Sequence, residues 1–292
     1  MASDKIEGHY DVLIAGAGIS GIGSAYHLQS QCPGKSFLIL ETLDSFGGTW
    51  RTHTYPGIRS DSDLYTFGYR FKPWIGPPIA TAEEILSYMG EVIDENDLAR
   101  HIQCAHTIVG ASYDSSEKQW TVRVVDRATD TEKVYTCTFL WMCQGYYNHA
   151  EGYTPEWDGM DVFQGEIVHP QTWPEDIDLT GKTVVCIGSG ATAATLVPAI
   201  AGACAHVTLL PRSPTYFFPA ENRNELADEL RRIGVSDEWV HEIARKKALF
   251  DQDEMCQRCL TEPDVVKAEL LEAAREYLGL DFDIDTHFTP KY

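Results

Sequence analysis

Two glycine-rich turns, each preceded by a short apolar run, constrain this 292-residue chain more than any other feature. The first is Gly16-Ala17-Gly18-Ile19-Ser20-Gly21 and the second is Gly188-Ser189-Gly190-Ala191-Thr192-Ala193. A strand that enters a tight glycine turn and leaves as a helix points free backbone amides, and the positive end of the helix, at a dinucleotide pyrophosphate. Two such units in one polypeptide predict an α/β fold with two Rossmann-like, three-layer dinucleotide-binding domains. They also imply electrons moving between two bound cofactors.

The first unit is complete by this criterion. Tyr10-Asp11-Val12-Leu13-Ile14-Ala15 reads as a strand buried on both faces. Gly16 permits the turn, Gly18 lets phosphate reach the backbone, and Gly21 lets the following helix, Ser20 to about Gln31, lie close to the sheet. The next strand, Phe37-Leu38-Ile39-Leu40, ends at Glu41. A carboxylate there accepts from ribose hydroxyls and repels a 2'-phosphate, so an adenosine without that phosphate is expected, as in FAD or NAD. Gly34-Lys35-Ser36 mimics the end of a P-loop, but Gln29 stands where its first glycine is required and a strand follows where a helix should.

In the second unit the strand Lys182-Thr183-Val184-Val185-Cys186-Ile187 leads into the turn, and Ala193 replaces the last glycine. Its next strand, Ala205 to Leu210, ends at Pro211-Arg212-Ser213 instead of at an acid. An arginine there meets a 2'-phosphate bidentately and Ser213 adds a further donor. The contrast between Glu41 and Arg212 favours NADPH at the second pocket.

Composition narrows the partners. The net charge of -21 argues against nucleic acid and anionic membranes, so cofactor phosphates are held by local dipoles and a few arginines. No stretch reaches the roughly 18 apolar residues of a spanning helix, and no secretory signal is visible before Tyr10. Eight cysteines are sparse for a disulfide framework and fit a reduced, cytoplasmic protein. Cys256 and Cys259 form a lone CxxC with no second ligand pair, and no metal centre is expected.

Between the turns, Trp120–Val125 and Lys133–Cys137 alternate like a hairpin, and Phe139–Cys143 reads as a buried strand. Beyond the second turn, helices are predicted over about 224–233, 237–250 and 264–278, the last bracketed by Pro263 and Gly279. The aromatic-rich Tyr65–Phe71 is compatible with either a cavity lining or core packing.

Phe163-Gln164-Gly165-Glu166-Ile167-Val168-His169-Pro170-Gln171-Thr172-Trp173, followed by Pro174, contains FxGxxxHxxxW between the two nucleotide units. With Gly47-Gly48-Thr49-Trp50 and Tyr55-Pro56-Gly57-Ile58-Arg59-Ser60-Asp61, it makes the chain resemble the class B flavoprotein monooxygenases, in particular the Baeyer–Villiger monooxygenases. The resemblance runs from about Tyr10 to Tyr292. It implies FAD at the first site, contacted by Gly48, Thr49, Trp50 and Asp61, and NADPH at the second, contacted by Gly188, Gly190, Thr192, Arg212 and Ser213. It gives Asp61 the orienting of a catalytic arginine, and Phe163, Gly165, His169 and Trp173 the linker that couples domain movement to cofactor position.

The implied domains are 1–155 for FAD, 156–180 for the linker, and 181–292 for NADPH with a helical C-terminal part. The implied reaction is oxygenation of an apolar ketone through a flavin C4a-peroxide. In the family the chain returns to the FAD domain beyond the position of Tyr292 and brings the catalytic arginine. The resemblance therefore implies an incomplete FAD domain, with a sheet edge for a partner chain to cover. The competing readings are a catalytically impaired member, one repurposed for a non-redox biosynthetic step, and a partner-binding scaffold.

Overall fold

The computed structural model describes residues 6–217, 220–279 and 281–291, which fall into two compact units. The first comprises residues up to Thr54 together with Ala82–Pro174; the second comprises Tyr55–Thr81 and Glu175 onward. This division differs from one drawn along the sequence. Residues 55–81, inside the stretch assigned to the first domain, pack with the second.

The first unit begins with β1 (Ile6–Ala15), α1 (Ile19–Gln31), β2 (Phe37–Leu40) and α2 (Thr49–Thr52). The second unit holds the short helix α3 (Leu64–Phe67). The chain then re-enters the first unit as α4 (Ala82–Glu95), β3 (Ile102–Gln103), β4 (His106–Asp114), β5 (Gln119–Asp126) and β6 (Thr131–Met142). Among the described residues these strands form one sheet in the order β3-β2-β1-β6-β5-β4. β3, β2, β1 and β6 run parallel, and β5 and β4 continue the sheet antiparallel.

Strand alternation sends Leu13 and Leu38 to one face, where they join Leu40, Val122, Val124, Tyr135 and Cys137 in a buried cluster. Ile14 and Ile39 point the other way. α4 was not anticipated, although Ile85, Tyr88, Met89, Val92 and Ile93 repeat at helical spacing and are all buried.

β6 is the hairpin strand and the following apolar run merged into one element. Its first part pairs on both sides, but β5 reaches only to Cys137, while β1 follows β6 to Met142. The edge from Thr138 to Met142 thus has one neighbour among the described residues. Phe139 and Met142 are 55% and 57% exposed. The expectation of a buried strand at Phe139–Cys143 is corrected here: among the described residues no strand continues the sheet beside this stretch, so its side chains lack the flanking neighbours that bury the earlier part of β6.

The second unit holds β7 (Thr183–Ile187), α5 (Ala191–Ala201), β8 (His206–Leu210), α6 (Glu225–Arg232), α7 (Asp237–Thr261), α8 (Pro263–Leu278) and α9 (Ile284–His287). β7 and β8 make a parallel two-stranded sheet. Asn224 caps α6 by accepting from the Ala227 amide, and Gly279 closes α8 at φ 88°. α7 runs eleven residues past its expected end at Phe250, through a charge-rich segment without an apolar stripe. Tyr65–Phe71 serves packing: Tyr65 and Leu64 are buried, and α3 lies on α7.

Candidate dinucleotide sites

The first turn is welded to its surroundings. Gly16 adopts φ 101°, and a side chain there would meet the Cys143 carbonyl oxygen at 2.8 Å. Its amide donates to Leu40 O at 2.8 Å, while Cys143 N donates to Ala15 O. A Cβ on Gly21 would lie 1.9 Å from the Gly16 carbonyl oxygen and 3.5 Å from Ile14, so α1 approaches the turn as closely as a glycine permits. Gly18 caps α1 in extended backbone with no side-chain cap. A side chain there would meet only Gly48 Cα, at 3.8 Å. That leaves the space a pyrophosphate needs at the positive end of the helix.

The Gly47–Trp50 loop is built onto this turn. Gly47 N donates to Ala17 O at 3.1 Å, and a Cβ on Gly48 (φ 56°) would come within 3.2 Å of Gly18 Cα. Thr49 and Trp50 start α2 immediately after Gly48. Glu41 is buried: Oε2 accepts from Ala17 N at 2.7 Å and Oε1 from Leu43 N at 2.8 Å. Each carboxylate oxygen keeps a lone pair for a ribose hydroxyl. These residues fit the adenosine diphosphate part of FAD. Lys35 and Ser36, the false P-loop, instead tie down Asp11, with Lys35 Nζ 2.8 Å from Oδ1.

The FxGxxxHxxxW stretch also belongs to the first unit. His169 Nδ1 accepts from Gln171 N and caps the turn Pro170–Thr172, and its ring lies so close over Gly152 that no side chain fits there. Buried Gln171 donates from Nε2 to Asn148 O at 2.6 Å. Phe163 folds over Gly165 but stays exposed, and Trp173 is half-buried. His169 and Thr172 line a cleft of about 460 Å³ with Asn148, Glu151, Gly152, Tyr153 and Thr154.

His53, at the end of α2, carried no signal in the sequence. It donates from Nδ1 to Thr49 O and packs against Tyr147. Burial lowers its pKa most; the Thr49 bond opposes this, and the nearby His149 and His169 lower it further. Cys143 was likewise missed as a neighbour of the turn. Its Sγ is 3.6 Å from Ser24 Oγ on α1, and burial pushes its thiol pKa up, which keeps it protonated.

The second turn has the same backbone. Gly188 adopts φ 117° and its amide donates to Leu210 O at 3.0 Å, while Gly190 caps α5 with no side-chain cap. Among the described residues nothing lies within 4 Å of a Cβ on either glycine, which leaves the cradle open for a pyrophosphate. Ala193 is buried and Thr192 half-buried on α5. Arg212 is exposed two residues past β8, with Ser213 half-buried beside it, and has no ion-pair partner among the described residues. A cation placed there fits a 2'-phosphate. Asp61, expected beside the flavin, belongs to the second unit, exposed and 3.2 Å from Ser62 Oγ.

The flavin-binding monooxygenase-like family model matches residues 73–223, more than half of the chain, and an NAD(P)-binding Rossmann-like model matches 14–74. This chain belongs to the flavin-binding monooxygenase-like family. It is 44% identical over 286 residues to the FAD-containing monooxygenase EthA of Mycolicibacterium smegmatis, covering 97% of this chain and 58% of that protein. Among solved structures it resembles OTEMO in complex with FAD and NADP (29% identity, TM-score 0.63, 76% of this chain and 43% of that one). It also resembles cyclohexanone monooxygenase from Rhodococcus sp. Phi1 bound to NADP+ (30% identity, TM-score 0.64, 79% and 43%). The chain thus spans about 58% of the length of the curated relative it matches. Family membership supports FAD and NADPH as the cofactors, in keeping with the two cradles. No helix among the described residues is long and apolar enough to cross a membrane.

Proposed function

We propose that the chain holds FAD at the Gly16–Gly21 turn and NADPH at the Gly188–Ala193 turn, and serves Baeyer–Villiger oxygenation of a small apolar ketone. One observation carries the reading: two turns of matching backbone end their second strands in opposite charges, buried Glu41 and exposed Arg212. Glu41 excludes a 2'-phosphate from the first site, and Arg212 with Ser213 selects for one at the second. Bound at the first site, FAD would supply the redox chemistry that links a nicotinamide hydride donor to dioxygen. The chain's own part is to hold both adenosines by amide dipoles against its net charge of -21. The cyclohexanone monooxygenase likeness supports a ketone as substrate. We place the protein in the cytoplasm; all eight cysteines are free thiols.

Anaerobic titration of FAD-reconstituted protein with NADPH tests this. Flavin absorbance should bleach, and with NADH bleach far less. Protein that stays colourless after FAD is added would end the reading.

The one-sided edge of β6 from Thr138 to Met142 favours a second reading, in which a further strand from a partner chain completes the first unit before oxygenation. Bleached flavin that returns only hydrogen peroxide on admitting oxygen would favour it.

A further inference from the structure

Residues 55–81 form a strap that leaves the first unit's chain after Thr54, packs within the second unit, and rejoins the first unit's chain at Ala82. Its leading end sits on α5, the helix whose N-terminus forms the second cradle. Gly57, at φ 79°, is pressed so near that a Cβ would lie 2.6 Å from the Thr195 carbonyl oxygen and 2.7 Å from Ala199 Cβ. Buried Tyr55 brings its hydroxyl to 3.4 Å from Thr195 Oγ1. Thr195 also reaches back to Ala191 O and Thr192 O, the carbonyls of the helix's first turn. Pro198 lies inside the same helix and withdraws one backbone donor, so α5 is weakened beside the point where Gly57 bears on it.

The remainder of the strap is stapled. Ser60 N donates to Ala80 O at 2.8 Å, and Asn222 bonds both the amide and the carbonyl of Ile79. Trp74 N donates to His241 Nδ1 on α7, and Arg245 donates to Tyr65 O and Thr66 O. Among the described residues it is the end at Tyr55 and Gly57 that rests on α5, the element a bound phosphate would touch.

We propose that Tyr55, Gly57 and Thr195 are positioning residues, through which occupancy of the second cradle tightens the strap. An anion at the N-terminus of α5 favours its first turn. Thr195 is hydrogen-bonded to that turn and in contact with the strap, so an ordered first turn holds Tyr55–Arg59 in place. Because both ends of the strap continue into the first unit, dinucleotide binding at one site is then felt by the chain of the other. This rests on the reading of the second turn as the NADPH site.

Hydrogen–deuterium exchange of the 292-residue chain with and without NADP+ tests the proposal and its premise separately. The expected result is slower exchange in two places: residues 188–197, and residues 55–61 by about tenfold. Thr195→Val keeps shape and removes the hydroxyl; protection at 188–197 should persist while that at 55–61 is lost. Gly57→Ala should act alike, and Thr195→Val covers the case in which Gly57→Ala does not fold. Protection at 188–197 with an unchanged strap overturns the coupling, as does a strap that tightens equally in Thr195→Val. No protection at 188–197 overturns the NADPH reading, and the coupling with it.

Discussion

The two turns of this chain have nearly the same backbone and very different surroundings. Gly16 and Gly188 lie at φ 101° and 117°, and each donates its amide to the last carbonyl of the following strand, Leu40 or Leu210. Gly18 and Gly190 cap their helices at φ -75° and -80°, both with ψ -175°. Yet Leu13, three residues before the first turn, is fully buried, while Val185, three before the second, is 55% exposed. Leu40 is 2% exposed and its counterpart Leu210 is 53%. The cradle is a local object that needs one strand, one helix and one neighbouring carbonyl. Burial is a collective one, and here it takes six strands in the first unit against two in the second.

The largest difference should appear when the same charge is placed before each turn. Leu13→Asp puts an unpaired carboxylate among Leu38, Val122 and Val124, and is expected to unfold the first unit, a loss of more than about 4 kcal/mol. Val185→Asp should change the unfolding free energy from urea titration by no more than about 0.5 kcal/mol, as surface substitutions do. Equal losses would mean that β7 is covered in solution.

The last glycine position sharpens the contrast. Gly21→Ala drives a methyl into the Gly16 carbonyl, 1.9 Å away, and should cost roughly 3 kcal/mol together with FAD retention. The second turn already carries the methyl, as Ala193. Ala193→Gly should cost about 1 kcal/mol through helix propensity and leave NADP+ binding in place. Urea unfolding, with flavin absorbance as a second probe, separates the two.

On the proposed reading, charge at the strand ends separates the sites by ligand. Arg212→Ala would remove the proposed hydrogen bonds to the 2'-phosphate, and bonds to a charged group are worth about 1.5–3 kcal/mol. The preference for NADPH over NADH should therefore fall by about 10- to 100-fold, with NADH reduction unchanged. A selectivity that survives would remove Arg212 from the phosphate site.

The same division between local and collective explains what could be read from sequence. The strand to Ala15, the helix to Gln31 and the glycine and acid positions are set by neighbours in the chain, and they were legible. So were α6 and α8, whose caps, Asn224 and Gly279, are local as well. α4 had a readable stripe from Ile85 to Ile93, set behind a loop rich in Pro and Gly. No residue pattern marks α7 beyond Phe250, because nothing there is buried. The exposure of Phe139 depends on how far β5 runs, and the seating of Gly57 on α5 joins residues well over a hundred positions apart. Such facts belong to packing, and only the fold displays them.

The smallest expected effect compares one buried histidine from each unit. His53 and His241 both have pKa values below the ordinary value, principally through burial. His241 is 1% exposed; the Arg245 charge depresses it further, and Glu242 on the same helix and the Tyr69 backbone partly offset this. At His53 the further lowering comes from the neighbouring imidazoles of His149 and His169. In the unfolded chain both histidines take up protons near pH 6.5. As pH falls through that value the unfolded state binds more protons than the native one, so stability declines with acidification and returns as pH rises. Thermal melts at pH 7.5 and 5.5 should show the decline. His241→Gln should shrink it more than His53→Gln, because a fixed cation opposes protonation at His241 at every pH. If the two substitutions flatten the profile equally, burial alone sets both sites and Arg245 has no part in it.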